Sequence, residues 1–203
     1  MLTFFHSPGS CSNGIFMLLE ELGVPYQIEL IDVKAGQQFD PAFLAKNPKG
    51  KVPAVLREDG QVMTEFPAIA FWLACQYGGP EFWPSDLDQQ RRTLEALDYI
   101  VASIHMRAFT LIKATKKFQL NEQGTLDLRA YGRAEAEKTL ATMAERLGDS
   151  PYLAGDFGIA DAALFYVLRW AEQEDIPIAE NLKDFLARMY QRESVQKVIV
   201  LEA

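Results

Sequence analysis

The apolar positions at the start of the chain change their spacing several times within a short distance. Residues 2–6 form a short apolar run that predicts a β-strand. Over residues 11–22 the apolar side chains recur at every third or fourth position, which predicts a helix, and Gly23 marks its end. Residues 26–31 then largely alternate apolar and polar side chains, as a second strand does. The chain therefore begins with a strand, a helix and a strand.

The same mixed pattern continues to about residue 77. Residues 34–48 predict a weak helix or a loop. Residues 53–56 and 61–63 are short apolar runs joined through Asp59-Gly60, a pair typical of tight hairpin turns. A helix is predicted over residues 67–77, where a proline suits the first helical turn. The predicted element order is βαβαββα, which indicates an α/β domain.

After this region the pattern becomes helical throughout. Glycine and proline interrupt residues 78–86, as in a linker. Apolar side chains then recur in steps of three and four over residues 94–111, which predicts one long helix. Residues 160–170 are apolar on almost every side, so we expect a buried central helix there. Further helices are predicted at about residues 125–147 and 182–189. We therefore predict an α/β domain at 1–79, a linker at 80–86 and an all-α domain at 87–203.

Composition restricts the possible partners and compartments. The 203-residue chain carries a formal net charge of −8, and an acidic protein is a poor ligand for nucleic acid or for an anionic membrane. We expect no membrane span and no signal peptide, because no long apolar run or basic leader is present. The cysteines are Cys11 and Cys75, which predicts no disulfide framework and a cytoplasmic location. The two histidines make a metal site improbable.

Three short segments carry the candidate chemistry. Cys11 lies where the first strand turns into the first helix, and a helix N-terminus favours a thiolate. Val52 precedes Pro53, so its backbone N–H and C=O are available to a peptide-like ligand. Glu65 places a carboxylate beside the N–H groups at the start of another helix. Together the three segments predict a site for a small peptide that carries a thiol.

Longer motifs in the chain resemble those of a known family. They are SPGSCS at residues 7–12, NPKGKVPA at 47–54, Ile104-His105, and VLRW at 167–170. In these motifs the chain resembles the glutathione transferases, most closely the bacterial beta class. The resemblance covers essentially the whole chain and implies a thioredoxin-like N-terminal domain followed by a helical bundle. It also implies a cis peptide bond before Pro53, a homodimer, and no cofactor, glutathione being the co-substrate.

The resemblance assigns the glutathione sulfur to the start of the first helix. Cys11 would donate a hydrogen bond to the sulfur or form a mixed disulfide with it. Ser10, the expected N-cap, and Ser12 are alternative hydroxyl donors to the thiolate. A buried cysteine with a purely structural role is the remaining alternative for Cys11.

The resemblance also assigns residues to the rest of the peptide. Lys51, Val52 and Pro53 would hold its backbone, and Lys34 would approach its glycyl carboxylate, unless it is simply a solvated lysine. Glu65 and the backbone of Phe66 would receive its glutamyl end. The family commonly has a small residue where this chain has Phe66, so we expect the ring to narrow the pocket.

Two residues of the long helix complete the implied site. Asp98 and His105 are seven positions apart, which places them on one face of a continuous α-helix. His105 would donate to the sulfur or to a bound carboxylate, and Asp98 would reach glutathione across the dimer interface. A hydrogen-bonded histidine at an interface is an equally good interpretation of His105. Asp161 is interpreted as a folding residue that caps the buried helix.

The function implied is attack of the glutathione thiolate on a hydrophobic electrophile, as in detoxification. An ordinary thiol, with a pKa of about 8.5, is only a few per cent ionised near neutral pH, so the site must lower that pKa. Two other hypotheses stay open. One is glutathione-dependent thiol–disulfide exchange through Cys11. The other is a non-catalytic binding protein of the same fold, for which Phe66 and Met106 are the departures from the family pattern.

Overall fold

The computed structural model describes residues 1–80 and 82–202, and the chain divides into two compact units. The first unit comprises Met1–Pro84 together with the C-terminal segment from Tyr190, and the second comprises Ser85–Met189. The first unit combines a sheet with helices, whereas the second is helical. This confirms the predicted fold class. None of the helices in the described residues is both long and apolar enough to cross a membrane.

The first unit is built on a four-stranded mixed sheet. Its strands are β1 (Leu2–His6), β2 (Tyr26–Leu30), β3 (Ala54–Leu56) and β4 (Val62–Thr64). Their spatial order is β2-β1-β3-β4, with β1 parallel to β2 and the other two pairings antiparallel. The parallel pair needs a crossover, which helix α1 (Ser12–Glu21) provides. The apolar positions of α1 are buried, as its spacing predicts.

The other helices of the first unit bring the candidate segments to the ends of strands. A short 3₁₀ helix (Gln37–Phe39) and α2 (Pro41–Leu44) occupy the region where a weak helix or loop is expected. Helix α3 (Phe66–Tyr77) follows β4 directly. Helix α9 (Glu193–Glu202) returns to this unit and packs against α1. The candidate segments lie before α1, before β3 and before α3.

The second unit contains the predicted helices with shifted limits. They are α4 (Leu87–Tyr99), a π-helix (Ile100–Phe109), α5 (Thr110–Lys113), a 3₁₀ helix (Thr115–Phe118), α6 (Glu122–Leu147), α7 (Ile159–Gln173) and α8 (Glu180–Tyr190). Helix α7 is buried along most of its length, as its apolar composition predicts. Asp161 accepts the backbone N–H of Gly158 at 3.0 Å and that of Leu153 at 2.9 Å, which agrees with its interpretation as a capping residue.

The long helix differs from the prediction in its winding. Residues 94–111 were expected to form one α-helix, but the chain changes to π-helix from Ile100 to Phe109. A π-helix closes its hydrogen bonds over five residues instead of four, so each residue turns through a smaller angle. A separation of seven residues therefore no longer places Asp98 and His105 on one face.

The C-terminal segment also departs from the predicted domain limits. The predicted boundaries assign residues 190–203 to the helical domain, whereas the segment from Tyr190 packs with the first unit. Arg192 donates two hydrogen bonds to the carboxylate of Glu21 at the end of α1, at 2.8 and 2.7 Å. The apolar residues Val195 and Val198 of α9 are buried as well. These long-range contacts are not visible in the local pattern on which the boundaries were based.

Candidate active site

The start of α1 is organised by serine hydroxyls. The Ser10 hydroxyl accepts the backbone N–H of Ser12 at 3.1 Å, which is the contact that an N-cap side chain makes. Cys11 is already in a right-handed helical conformation, although the helix is bounded at Ser12. Ser10 thus performs the capping role expected of it.

Cys11 lies at this helix start as a neutral thiol. Its S–H donates to the carbonyl oxygen of Val52 over 3.7 Å. Burial raises the pKa of the thiol to about 12, although part of the residue remains exposed. Backbone N–H groups at the helix start and the charge of Lys51 lower this pKa, but burial is the larger effect. The structure therefore does not favour the Cys11 thiolate that the helix start alone predicts.

The loop before β3 is held by side-chain and backbone hydrogen bonds. Asn47 is buried, and its side chain donates to the carbonyl oxygen of Lys51 at 2.8 Å and accepts the N–H of Lys49 at 3.2 Å. Gly50 has a φ of +59°, and a Cβ there would lie 3.2 Å from the carbonyl oxygen of Gln38. This explains why the Asn-Pro-Lys-Gly motif combines an amide with a glycine.

Val52 is held next to the start of α1 by this loop. The peptide bond between Val52 and Pro53 is cis. The carbonyl oxygen of Val52 accepts from Cys11, while its N–H makes no hydrogen bond to any residue that the structure describes. This backbone donor is thereby left for a peptide ligand.

Glu65 occupies a backbone conformation that is rare for its residue type. Its φ is +70°, just before α3. Its exposed carboxylate accepts from Lys49 at 2.7 Å, and Lys49 also donates to the Thr64 hydroxyl at 2.8 Å. Lys49 was not among the predicted site residues, although its position in the motif brings it to Glu65. The Glu65 carboxylate, which is expected to receive the glutamyl end of the peptide, thus pairs with the Lys49 ammonium group.

The two remaining predicted ligands of the first unit differ in exposure. Phe66 is only 4% exposed, so its ring does not project into solvent. Lys34 is exposed, and its backbone N–H donates to Asp32, while its side chain makes no ion pair with any described residue.

His105 and Asp98 lie in the second unit with different surroundings. The Nδ1 of His105 is 3.2 Å from the Tyr166 hydroxyl, and its ring packs edge-on against Trp170 at 4.8 Å between centroids. Asp98 is exposed on α4. His105 is therefore hydrogen-bonded within the second unit, and its donation to the sulfur or to a bound carboxylate stays a prediction.

A buried polar group behind the helix start was missed by the sequence analysis. His6 at the end of β1 is fully buried, and its Nδ1 is 2.7 Å from the Ser12 hydroxyl. That hydroxyl is in turn 2.7 Å from the Ser10 hydroxyl. Burial lowers the pKa of His6 to about 4, so it is neutral at physiological pH. A histidine at a strand end, a few residues before a Ser-Cys-Ser sequence, is the signal that would have found it.

The three segments thus meet within the first unit. The Cys11–Val52 contact joins the first to the second, and the Lys49–Glu65 ion pair joins the second to the third. Lys51 and Glu65 both lie near enough to act electrostatically on the Cys11 thiol. In the described part of the chain, no cluster of three or more His, Cys, Asp or Glu side chains is arranged to hold a metal ion.

Comparison with known proteins gives the family. Residues 9–76 match the model "Glutathione S-transferase, N-terminal domain", and residues 105–188 match "Glutathione S-transferase, C-terminal domain". The chain is 32% identical over 206 residues to Glutathione S-transferase GstA of Escherichia coli O157:H7, covering 99% of this chain and 98% of that protein. The chain belongs to the glutathione transferase family. This confirms the predicted resemblance, and the first unit is the thioredoxin-like domain of the glutathione transferase fold.

Solved structures of glutathione transferases have the same fold. A homologue from Sulfitobacter with bound glutathione has a TM-score of 0.88 and 28% identity, covering 98% of this chain and 96% of that one. The bacterial beta class glutathione transferase of Sphingomonas chungbukensis has a TM-score of 0.83 and 26% identity, covering 99% of this chain and 98% of that one. The similarity of both to this transferase extends over nearly the whole chain.

Proposed function

We propose that this transferase binds reduced glutathione on its first unit and adds the thiolate to a hydrophobic electrophile. The observation that carries the proposal is the meeting of the three segments around Cys11, Val52 and Glu65. The E. coli relative is a glutathione transferase, and the Sulfitobacter homologue holds glutathione, which supports the same ligand here.

Each end of glutathione has a complementary group in this arrangement. The N–H of Val52 would donate to the cysteinyl backbone, which adds to the loop as a strand does. The Glu65 carboxylate would accept the glutamyl ammonium after Lys49 moves away, and Lys49 would then be free to pair with the adjacent glutamyl carboxylate. Phe66 would contribute its backbone, because its ring is buried. The glycyl carboxylate would lie toward Lys34.

The sulfur would lie at the start of α1, between Ser10 and Cys11. Because Cys11 stays protonated, it would act as a neutral neighbour whose S–H is already directed to Val52. The Ser10 hydroxyl and the N–H groups of the helix start would then stabilise the glutathione thiolate. This mechanism uses no further cofactor. We extend the proposal to a homodimer and, because both cysteines are free, to a cytoplasmic location.

The thiol–disulfide exchange hypothesis is less well supported. Exchange requires a thiolate as the attacking group. A Cys11 with a pKa of about 12 is almost entirely protonated at neutral pH, so it would attack slowly. Incubation with oxidised glutathione, followed by intact mass measurement, is expected to give no adduct on Cys11. A stable adduct would restore this hypothesis.

The proposal is tested by conjugation of glutathione to a chloronitrobenzene. We expect the unaltered protein to be active. Ser10→Ala is expected to lower kcat/KM by about 10- to 100-fold, because a hydrogen bond to a charged group is lost. Cys11→Ala serves as the matched control and is expected to lower it less than about threefold. Retention on immobilised glutathione without turnover of any electrophile would instead indicate a binding protein, and a large loss confined to Cys11→Ala would reverse the assignment.

A further inference from the structure

The buried group formed by His6, Ser12 and Ser10 has a role that the proposed function does not by itself assign. We propose that His6 is a positioning residue which, acting through the Ser12 hydroxyl, directs the hydroxyl proton of Ser10 away from the protein and toward the glutathione sulfur. This inference rests on the proposed function. Its basis is a count of the donors and acceptors at each of the three side chains.

The tautomer of His6 follows from its burial and its hydrogen-bond partners. The buried imidazole is neutral, because burial lowers its pKa to about 4, so only one ring nitrogen carries a proton. Nε2 has no hydrogen-bond partner among the described residues, and the rings of Phe4 and Phe16 lie against the imidazole. Nδ1 is 2.7 Å from the Ser12 hydroxyl. Since a buried N–H without an acceptor is rarer than an unused lone pair, the proton belongs on Nδ1.

The lone pairs of the Ser12 hydroxyl are occupied by two N–H donors. A serine hydroxyl can accept two hydrogen bonds and donate one. The backbone N–H of Ser7 donates to it at 3.1 Å, and Nδ1–H of His6 is the second donor. Both lone pairs of Ser12 are then occupied. Its own proton is left for the carbonyl oxygen of Ser7 at 3.2 Å or for the Ser10 hydroxyl at 2.7 Å.

The direction of the Ser10 hydroxyl proton follows from the occupied lone pairs of Ser12. Ser10 cannot donate to Ser12, because Ser12 has no lone pair left to accept with. Ser10 itself accepts the backbone N–H of Ser12 at 3.1 Å, and the described residues offer its hydroxyl proton no other acceptor. Ser10 is half-buried, so its proton points to the accessible side, where the sulfur would lie.

The opposite tautomer would have the opposite effect. With the proton on Nε2, the Ser12 hydroxyl would donate to Nδ1 and would retain one free lone pair. Ser10 would then donate to Ser12, and its proton would be lost to the sulfur. The position of one proton on a buried ring thus decides whether Ser10 can stabilise a thiolate.

The test measures the pKa of the glutathione thiol when it is bound, from the ultraviolet absorbance of the thiolate as a function of pH. His6→Phe is expected to raise this pKa by about one to two units, because Ser10 can then turn to Ser12. Ser10→Ala is expected to raise it by a similar amount. The double variant is expected to show no further rise, because both substitutions remove the same hydrogen bond. Lys51 and Glu65, whose charges act on this region, are the same in all variants.

Two controls separate positioning from packing. Phe16→Leu loosens the packing around the same ring and leaves the hydrogen bonds in place, so the thiol pKa is expected to stay unchanged. His6→Asn retains a side-chain N–H near the position of Nδ1 and is expected to restore most of the effect. If Phe16→Leu raised the pKa as much as His6→Phe, or if the effects of His6→Phe and Ser10→Ala simply added, the inference would be overturned.

The tautomer can be observed without any substitution. The ¹⁵N chemical shifts of the His6 ring in the labelled protein are expected to show a protonated Nδ1, and a proton on Nε2 would overturn the inference. Glutathione binding by the unaltered protein, measured by calorimetry, separates this inference from the proposed function. Absence of binding would refute both. Binding with a lowered thiol pKa that His6→Phe leaves unchanged would refute the positioning role of His6 alone.

Discussion

The environment of each side chain at the candidate site decides its chemical role more strongly than its residue type does. Cys11 is the most nucleophilic residue type in its segment, but burial keeps its thiol protonated. Lys49 and Glu65 are charged and exposed, so each can exchange its partner at little cost. Glutathione, a zwitterion that carries a thiol, would therefore meet the neutral Cys11 thiol at its sulfur. At its amino-acid end it would meet Lys49 and Glu65, which can exchange partners.

Glu65 provides a prediction for the binding of the amino-acid end. Glu65→Gln is expected to raise KM for glutathione about tenfold or more and to change kcat little, because it removes the charged acceptor of the glutamyl ammonium and no group that donates to the sulfur. Lys49→Met is the comparison variant and is expected to raise KM less, by about threefold, because the ion pair that the exposed Lys49 would form with the glutamyl carboxylate is screened by water. Steady-state kinetics with varied glutathione would check both. A tenfold rise in KM for Lys49→Met with no effect of Glu65→Gln would transfer the binding role to Lys49.

Two helices of the second unit show different local features: α7 has a buried start, and the π-helix has an altered winding. Helix α7 begins in the interior, so the backbone N–H groups before it need an acceptor that water cannot supply. Asp161 is that acceptor, and it is 1% exposed. The π-helix differs from an α-helix in its winding. Because each residue turns through a smaller angle, Asp98 and His105 do not lie on one face.

Asp161 provides a prediction for the stability of the helix start. Asp161→Ala is expected to lower the free energy of unfolding by about 3 kcal/mol, because the N–H groups of Leu153 and Gly158 lose their acceptor. Asp156→Ala, which removes an exposed carboxylate from the same loop, is expected to change it by less than about 0.5 kcal/mol. Urea denaturation of both variants is the measurement. Equal stability of the two variants would show that Asp161 does not cap α7.

The two ends of the chain come together in the first unit through α1 and α9. Glu21 at the end of α1 accepts two hydrogen bonds from Arg192 and one from the Ser194 hydroxyl. Burial opposes ionisation of this carboxyl, but the hydrogen bonds from Arg192 and Ser194 outweigh it and lower the pKa of Glu21. The C-terminal segment is therefore fastened by a charged pair as well as by apolar burial.

This pair predicts a dependence of stability on pH. Because the folded-state pKa of Glu21 is below its ordinary value of 4.5, its stabilisation is present above that value and is lost as the pH falls through the folded-state pKa. At neutral pH, Glu21→Gln is expected to lower the free energy of unfolding by about 1–3 kcal/mol. The difference from the unaltered protein is expected to shrink as the pH is lowered below 4.5. Urea denaturation at neutral pH and at an acidic pH below 4.5 is the measurement.

An exposed neighbour of this pair is the control for the pH experiment. Glu193→Gln is expected to change stability by less than about 0.5 kcal/mol at either pH, because Glu193 is exposed. A difference between Glu21→Gln and the unaltered protein that stayed constant from neutral pH to acid would show that the ionised form of Glu21 is not what stabilises α9.

The amino-acid order was sufficient for those features that depend on neighbours along the chain. The spacing of apolar residues located β1, α1, the hairpin of β3 and β4, and the buried α7, because an element buries one face and so repeats its pattern locally. The motifs around Cys11, Val52 and Glu65 located the three segments of the site. The change to π-helix after Tyr99 has no comparable local pattern.

Features that depend on residues far apart in the chain appeared only in the folded structure. The packing of α9 on α1 and the pairing of Lys49 with Glu65 are of this kind. So is the protonated state of Cys11, because a pKa depends on how much water and which charges surround the group. Sequence spacing reports which residues share an element, whereas burial and pairing are set by the elements that pack around them.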